Sequence, residues 1–481
     1  MSGVSMSEQK PTTLGALRAS GWQSRPVKEE LRTNAIARIM AGEPLVENVL
    51  GYEDTVLPQL ENAILAGHDV IFLGERGQAK TRMIRSLTDL LDEWMPIVEG
   101  SEINDDPYFP ISKAARALVA ELGDATPIAW VHRDDRYSEK LATPDTSIAD
   151  LIGEVDPIKI AEGNYLSNEE TIHFGLVPRT NRGIFAINEL PDLAERIQVG
   201  LLNVLEERDV QIRGFKLRLP LDVLLFASAN PDDYTNRGRI ITPLKDRFGS
   251  QIRTHYPLDV DTEVTIALQE MNPLAAPGIN VHLPRYMAEI VANFSQLARR
   301  SPHINQRSGV SVRLTVANFE TLIANAARRG LQQGETDISP RVSDLEALAA
   351  STIGKLEIET IEDGRDSLVV EQLLKASILE TFREYVAVEN LREVVDAFDE
   401  ARIVNAGEDV ASPEYVALLA EVAALKPHVD AIVKSDLVNA GSSEPTPAMI
   451  ASAVEFILEG LHLSKRLNKD SVGPRAQYRS R

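Results

Sequence analysis

The chain has 481 residues, 43% of them hydrophobic, which is ordinary for a globular protein and long enough for two to three domains. Its 72 acidic residues outnumber its 50 basic ones, and the net charge of −22 argues against a surface built mainly to hold nucleic-acid backbone. The absence of cysteine excludes disulfides, thiolate metal sites and cysteine nucleophiles.

The N-terminal region is polar at first and then becomes helical. Residues 1 to about 30 are weakly patterned, so we expect a flexible segment there. The start shows no secretory signal, and the sequence has no run of roughly 20 apolar residues, so we expect a cytoplasmic protein without a membrane span. Helical periodicity follows from about residue 31, and the apolar run Val70–Leu73 then predicts a buried strand.

A glycine-rich loop follows this strand and has the spacing of a phosphate-binding loop. The motif supplies two glycines, a lysine for the β- and γ-phosphates and a threonine hydroxyl for Mg²⁺. Helical spacing from Arg82 onward would put the phosphates at a helix N-terminus. Ala79 departs from the motif, because a glycine is expected there. The candidate ATP-binding residues are Gly74, Glu75, Arg76, Gly77, Gln78, Ala79, Lys80 and Thr81.

Two further buried strands are predicted downstream of this loop. Residues 101–150 mix Pro, Asp and Thr with short apolar pieces, and we interpret them as an insertion. Apolar runs at 184–187 and 223–227 then predict strands that end in polar residues, at the sheet edge where ligands bind in open α/β folds. Residues 210–219 lie between these strands and alternate apolar and polar positions about a glycine, which predicts a β-hairpin.

The polar residues at these strand ends are candidates for hydrolysis of a bound nucleotide. Glu189 is placed to orient and activate water. Asn188 stands where an aspartate usually helps to hold the water shell of Mg²⁺, so we expect that restoring the aspartate raises turnover. Asp192 is the nearest alternative acid in the sequence. Asn230 follows the third strand and could hydrogen-bond the γ-phosphate or the attacking water.

Two arginines complete the pattern. Arg247 is a candidate arginine finger, and Arg313 opens a helical stretch in a region that is almost wholly helical from about residue 256. Each arginine would be unremarkable alone. The specific signal is the order of the features, which runs from the phosphate loop through the two polar strand ends to the arginines.

The chain resembles MoxR-type AAA+ ATPases and is similar to the AAA+ subunit of magnesium chelatase. The resemblance covers roughly residues 45–350 and is most specific over 175–250, including Gly-Leu-Val-Pro-Arg-Thr-Asn-Arg-Gly-Ile from Gly175 onward. It implies an α/β fold, in which a parallel sheet flanked by helices and carrying inserted β-hairpins forms a P-loop AAA+ domain. The implied parts are a nucleotide-binding domain at 31–255 with a first hairpin near 153–174, and an all-helical lid at 256–350. The resemblance gives no counterpart beyond about residue 370. There the helical pattern and the basic, polar tail predict a C-terminal helical region with a frayed basic tail at 351–481.

The resemblance also implies functional assignments. ATP and Mg²⁺ would bind at the interfaces of a homo-oligomeric ring, usually of six subunits. By motif position, Lys80 and Thr81 would bind phosphate and Mg²⁺. Asn188 and Glu189 would form the Walker B pair, with Mg²⁺ held through water. Asn230 would be the first sensor, Arg247 the trans-acting finger and Arg313 the second sensor.

Several functions are consistent with such a motor. The preferred hypothesis is an ATPase that remodels, matures or inserts metal into a partner protein, with a von Willebrand factor A domain protein as partner. A magnesium-chelatase subunit that drives Mg²⁺ into a porphyrin is the first alternative. An ATP-binding scaffold with weak hydrolysis is the second, because Ala79 and Asn188 depart from the motif. A nucleic-acid motor is disfavoured by the acidic balance and by the lack of a terminal helix-turn-helix signal.

Overall fold

The structure is a computed structural model that divides into two compact units, Met1–His255 and Tyr256–Arg481. The residues that the structure describes are 10–155, 171–207, 210–212, 215–217, 219–230, 239–306, 309–358, 366–398, 402–440, 444–472 and 475–481.

The first unit alternates strands and helices. Its strands are β1 Val70–Leu73, β2 Trp94–Val98, β3 Ile128–His132, β4 Tyr137–Leu141, β5 Gly153–Val155, β6 Ile172–Phe174, β7 Gly183–Asn188, β8 Val210–Ile212, β9 Phe215–Leu217, β10 Val223–Ala229 and β11 Ser250–Arg253. Its helices are α1 Leu14–Ala19, α2 Val27–Ala41, α3 Val56–Ala66, α4 Lys80–Ser86, α5 Lys113–Leu122, α6 Ile148–Leu151, α7 Leu176–Arg179, α8 Glu195–Glu207 and α9 Thr242–Arg247.

A five-stranded parallel sheet with the order β11-β1-β10-β7-β4 forms the centre of this unit. Alternate residues of each central strand enter two different cores, as the two-residue period of a strand requires. Phe72 and Phe226 pack with α2, α3 and α4 on one face, whereas Ile71 and Phe185 pack with α8 on the other. The predicted α/β class, with a parallel sheet flanked by helices, is confirmed.

Two antiparallel hairpins accompany the sheet, as predicted. Strands β5 and β6 pair, with Gly153 opposite Phe174, and the residues between them at 156–170 lie outside the described part of the chain. Strands β8 and β9 pair, with Val210 opposite Leu217. Gly214, the expected centre of that hairpin, also lies outside the described residues.

The expected insertion at 101–150 is wrong in one important part. Its strand β4 belongs to the main sheet, where Glu139 lies opposite Ala186 of β7. The strand escaped prediction because β4 is an edge strand, so its side chains are only partly buried and it carries no continuous apolar run.

The expected flexible segment at residues 1–30 is also wrong over residues 10–30, while residues 1–9 lie outside the described chain. Leu14 and Leu17 of α1 are fully buried, and the Trp130 indole donates to the carbonyl oxygen of Pro11 at 2.8 Å. Glu30 of α2 accepts two hydrogen bonds, at 2.8 and 2.7 Å, from the buried guanidinium of Arg136. This segment is therefore anchored by a hydrophobic contact and by a bidentate ion pair.

The second unit is mostly helical. Its helices are α10 Val260–Glu270, α11 Arg285–Arg300, α12 Val312–Gln332, α13 Leu348–Thr352, α14 Asp366–Tyr385, α15 Arg392–Asp396, α16 Ser412–Glu421, α17 Lys426–Ala440 and α18 Pro447–Leu463. Its strands are β12 Asn280–Val281, β13 Asp337–Ile338, β14 Ile403–Gly407, β15 Leu467–Val472 and β16 Arg475–Ser480. Helix α18 is buried along most of its length, and the ring of Phe456 stacks on that of Tyr286 at 4.5 Å.

Two features of this unit differ from the sequence-based expectation. The lid region contains a short parallel pair, β12 with β13, so it is not all helical. The basic tail does not fray but forms a sheet of order β14-β16-β15. The tail is held because the buried Tyr478 hydroxyl donates to the Glu459 carboxylate at 2.5 Å, and the same carboxylate accepts from Lys469 at 2.8 Å. No helix among the described residues is both long enough and apolar enough to cross a bilayer.

Candidate functional site

Strand register brings the ends of three strands, and the predicted site residues that follow them, to one edge of the central sheet. Leu73 at the end of β1 lies beside Ala229 at the end of β10, and Ile187 of β7 lies beside Ala227. The Gly74 amide continues the pairing by donating to the Ala229 carbonyl oxygen at 3.0 Å. The residues that follow these three strands, including Asn230, therefore meet at the carboxyl edge, where open α/β sheets bind ligands.

The loop between β1 and α4 contains two residues in left-handed conformations. Gly77 has a φ of 76° and Ala79 a φ of 53°, immediately before helix α4 begins at Lys80. A left-handed conformation costs an L-residue with a side chain roughly 1–2 kcal/mol, which explains why a glycine is usual at the Ala79 position. The chain nevertheless takes the conformation that this position requires.

Gly74 is required for space rather than for an unusual φ. A Cβ atom on Gly74 would lie 1.9 Å from the Thr254 hydroxyl and 2.2 Å from Gln78 Oε1. Those two atoms are themselves joined by a hydrogen bond of 2.6 Å, which ties the loop to the end of β11. The Tyr52 hydroxyl adds a further contact by donating to the Gln78 carbonyl oxygen at 3.1 Å. The loop is therefore closely packed from behind.

The two polar residues that begin α4 face the same edge. Lys80 is 7% exposed, and its Nζ donates to the carbonyl oxygens of Gly74 and Glu75, the latter at 2.6 Å. A phosphate bears full negative charge and is a stronger partner for this ammonium than those carbonyls. The Thr81 hydroxyl lies 3.3 Å from Asn188 Oδ1, and both are hard oxygen donors of the kind that Mg²⁺ prefers. The loop therefore fits a nucleotide phosphate and its magnesium ion.

Asn188 is itself buried and is the centre of a hydrogen-bond network. Its Oδ1 accepts from Thr81 and from the Ser228 hydroxyl, the latter at 3.1 Å. Its Nδ2 donates to Oε1 of Glu139 at 2.6 Å. Asp192, the nearest alternative acid in the sequence, ends a short 3₁₀ turn and is not among these partners of Asn188. Glu139 of β4 is thus the carboxylate bound to Asn188, and sequence reasoning missed it.

Glu139 is itself clamped by two neighbours. Arg85 of α4 donates to both carboxylate oxygens, at 2.7 and 3.1 Å, and the Tyr137 hydroxyl donates to Oε2 at 2.8 Å. Partial burial acts to raise the pKa of Glu139, but hydrogen bonds from Arg85, Tyr137 and Asn188 outweigh it, so the pKa lies below its usual value. The carboxylate is therefore charged at neutral pH.

The predicted water-activating and sensing residues lie next to this network. Glu189 is half-buried with a φ of 55°, and its amide donates to the Ser228 hydroxyl at 3.3 Å. A non-glycine residue in the left-handed region stores strain of the kind often found at functional sites. Asn230 is 4% exposed and directly follows β10, and residues 231–238 beyond it lie outside the described chain.

The three candidate arginines are exposed. Arg76 in the loop and Arg247 at the last residue of α9 are both exposed. Arg313 belongs to the second unit, where it is exposed in the first turn of α12. The trans-acting and sensing roles of Arg247 and Arg313 stay predictions.

No protein-family model matches the chain. A magnesium-chelatase subunit ChlI from Guillardia theta is 30% identical over 217 residues, which cover 43% of this chain and 56% of that protein. The magnesium-chelatase 38 kDa subunit from Cereibacter sphaeroides is 27% identical over 209 residues, covering 41% of this chain and 54% of that protein. The chain is related to the AAA+ subunits of magnesium chelatase.

The similarity is partial. The chain spans about half the length of these two curated relatives. A ChlI subunit from Nephroselmis olivacea matches over a longer stretch, 72% of this chain and 85% of that protein, at 24% identity. Similarity to solved structures is weak. A model of the complex between subunits BchI and BchD of magnesium chelatase covers 73% of this chain and 98% of the matched chain, with a TM-score of 0.32 and 20% identity.

Proposed function

We propose that this protein is an AAA+ ATPase that converts ATP and water to ADP and phosphate. The observation that carries the proposal is the convergence of the phosphate-type loop, the Asn188–Glu189 strand end and Asn230 at one sheet edge. The sequence relation to magnesium-chelatase AAA+ subunits supports it independently.

In this proposal each group has a separate task. Lys80 binds the β- and γ-phosphates, and the backbone amides of the loop cradle them. A bound Mg²⁺ would neutralise charge on the phosphates, with the Thr81 hydroxyl and Asn188 as its nearest protein oxygens. Glu189 accepts a proton from the attacking water, and Asn230 orients that water or the γ-phosphate.

The site is expected to be completed by a second copy of the chain. Arg247 is exposed at the end of α9, and we assign it the role of an arginine finger toward a neighbouring subunit. We accordingly propose a ring, with six subunits as the expected number and ATP at the interfaces. The motor would act on a partner protein to remodel it, mature it or insert its metal, together with a von Willebrand factor A domain protein.

A magnesium-chelatase subunit is the second candidate, because the curated relatives reported above carry that name. The two candidates share the motor and differ in the partner. Insertion of Mg²⁺ into a porphyrin, measured by fluorescence with the other chelatase subunits present, would favour this candidate. Co-purification of a von Willebrand factor A protein without such activity would favour the first.

The motor itself is tested with two variants of the purified full chain. Lys80→Ala removes the phosphate-binding cation, so ATP affinity measured by calorimetry should fall sharply and phosphate release should stop. Glu189→Gln is nearly isosteric and should keep ATP binding but abolish turnover. The Glu189→Gln protein, locked with ATP, is also the bait for capturing the partner from the native cell.

Three results would contradict the proposal in different ways. Wild-type protein that binds no nucleotide would refute the ATPase function altogether. Wild-type protein that binds ATP but releases no phosphate, alone or with its partner, would favour the scaffold alternative. Unchanged nucleotide affinity in Lys80→Ala would show that the loop is not the phosphate site.

A further inference from the structure

Asn188 has a fixed orientation, and Glu139 is what fixes it. A carboxylate can only accept hydrogen bonds, so the 2.6 Å contact with Glu139 requires the Nδ2 end of the Asn188 amide to face β4. The Oδ1 end then points to the hydroxyls of Thr81 and Ser228. The amide therefore presents its electron-rich atom to the side where Thr81 lies.

The same contact brings a formal charge close to a position that Asn188 leaves neutral. Asn188 replaces the aspartate expected at this strand end, and an amide carries no negative charge. A hydrogen bond to an ionised carboxylate is stronger than one between neutral groups and polarises the amide that donates it. The Glu139 carboxylate therefore binds the nitrogen of the same amide group whose oxygen faces Thr81.

The clamp around Glu139 leaves this charge effective. Arg85 pairs with the carboxylate, but its side chain is 63% exposed, so solvent screens the guanidinium. The Glu139 side chain is 21% exposed and the Asn188 residue 7% exposed. The Glu139–Asn188 contact is therefore better shielded from water than the Arg85–Glu139 ion pair. Shielding from water strengthens the influence of Glu139 on Asn188.

We propose that Glu139 is a positioning residue of the Mg²⁺–nucleotide site, which acts through Asn188 to supply the negative charge that an aspartate would carry there. This inference rests on the proposed ATPase function. It gives Glu139, on a strand outside the sequence motif, the tasks of supplying negative charge and of orienting the Asn188 amide. The role is separate from that of Glu189, which contacts the neighbouring Ser228 through its backbone amide.

The inference reverses the expectation for Asn188→Asp. An aspartate at this position would bring its carboxylate to about the 2.6 Å that now separates Nδ2 from Oε1 of Glu139. Two carboxylates at that distance repel each other, and the amide donor that binds Glu139 is lost. The single variant should therefore bring no gain in turnover. Adding Glu139→Gln to Asn188→Asp exchanges the carboxylate and the amide between the two positions. The double variant would again have one negative charge and one amide donor.

The test compares the Mg²⁺ dependence of ADP binding in four full-length variants. Calorimetry gives the affinity for ADP with and without Mg²⁺, which is a readout independent of hydrolysis. In Glu139→Gln, the Mg²⁺-dependent gain in affinity should fall by about 10- to 100-fold, the range found for lost outer-shell partners of metal ligands. Affinity for ADP without Mg²⁺ should stay unchanged. The double variant Glu139→Gln/Asn188→Asp should recover most of the gain, and Asn188→Asp alone should not exceed wild type.

Arg85→Gln is the matched control for a purely structural role. It breaks the ion pair between α4 and β4 but leaves the carboxylate of Glu139 in place. If the charge is what matters, this variant should retain the Mg²⁺-dependent gain within about threefold, since an exposed pair contributes less than about 1 kcal/mol. Thermal melts of all variants report whether each is folded.

The outcomes separate the inference from the function on which it rests. If wild type binds ADP with a Mg²⁺-dependent gain and Glu139→Gln keeps that gain, the inference is overturned while the proposed function stands. A double variant no better than its single parents, or an Arg85→Gln variant as impaired as Glu139→Gln, would also overturn it. If wild type binds no nucleotide, the inference and the proposed ATPase function are both refuted. If Glu139→Gln does not fold, the double variant still tests the inference, because it either shows the Mg²⁺-dependent gain in ADP affinity or lacks it.

Discussion

Gly74 provides a stringent test of the packing behind the phosphate loop. Gly74→Ala places a Cβ atom 1.9 Å from the hydroxyl of Thr254 and 2.2 Å from the amide oxygen of Gln78. Both atoms are buried and bonded to each other, so neither can move without breaking their 2.6 Å hydrogen bond. The substitution therefore combines overpacking with the loss of a buried polar contact.

The magnitude follows from these two effects. Overpacking a close-packed interior costs typically about 1–3 kcal/mol, and a lost intramolecular hydrogen bond adds about 1 kcal/mol. We expect the first unit to lose about 2–4 kcal/mol of unfolding free energy. Since the loop must shift to accommodate the methyl group, ATP affinity should fall as well.

The assay can report on the first unit alone. The chain has three tryptophans, Trp22, Trp94 and Trp130, and all of them lie in that unit. Urea unfolding followed by tryptophan fluorescence therefore measures the unit that contains the loop. Gly200→Ala is the matched control, because a Cβ there meets only Ile152 Cδ1 at 3.5 Å. Gly200 lies inside a helix, so this control should stabilise the unit by about 0.5–1 kcal/mol.

A second substitution identifies the cause. Thr254→Ala removes the closest clashing atom, so Gly74→Ala/Thr254→Ala should be destabilised by clearly less than the sum of its single parents. Strict additivity would refute the steric explanation. Equal stability of Gly74→Ala and wild type would refute the described packing of the loop.

Further predictions concern the subunit interface and the stability of each unit. Arg247→Ala should keep ATP binding but lose about 10³- to 10⁵-fold in turnover. Mixing it with Glu189→Gln in one ring should restore some activity. No rescue in rings shown to be mixed would argue against a shared site. Glu30→Gln should lower the unfolding free energy of the first unit by about 3–5 kcal/mol, measured by tryptophan fluorescence, because it leaves the buried Arg136 without its charged partner. Tyr478→Phe removes a buried hydrogen bond to a carboxylate and should cost the second unit about 1.5–3 kcal/mol in a circular-dichroism melt, whereas an unchanged melt would mean that the tail is not held as described.

The central strands were predictable from the sequence because they are buried on both faces. Strands β1, β7 and β10 lie inside the sheet, so each reads as an unbroken apolar run that ends in a polar residue. The loop motif and the order of the strand ends then indicate the position of the site. These parts of the prediction depend only on local patterns.

The rest required contacts between distant residues. Glu139 and Asn188 are 49 positions apart, and β4 is half-exposed at the sheet edge, so no local pattern marks the carboxylate as a partner of the strand end. Strands β15 and β16 are polar, so the sequence of the tail predicts neither their pairing with each other nor the pairing of β16 with β14. The ordered N-terminal segment likewise depends on Arg136, more than a hundred residues away.

The order of the small sheet in the second unit bears on how the chain folds as it is synthesised. Its middle strand, β16, is the last of the three to leave the ribosome, and Gln477 pairs with Asn405 made 72 residues earlier. At about 5–20 residues per second, β14 waits roughly 4–14 s for its partner. During that interval β14 has an unpaired edge, which is the kind of edge that chaperones shield and that pairs wrongly with other chains. Removal of the last seven residues should therefore lower the soluble yield in cells more than it lowers the stability of the first unit.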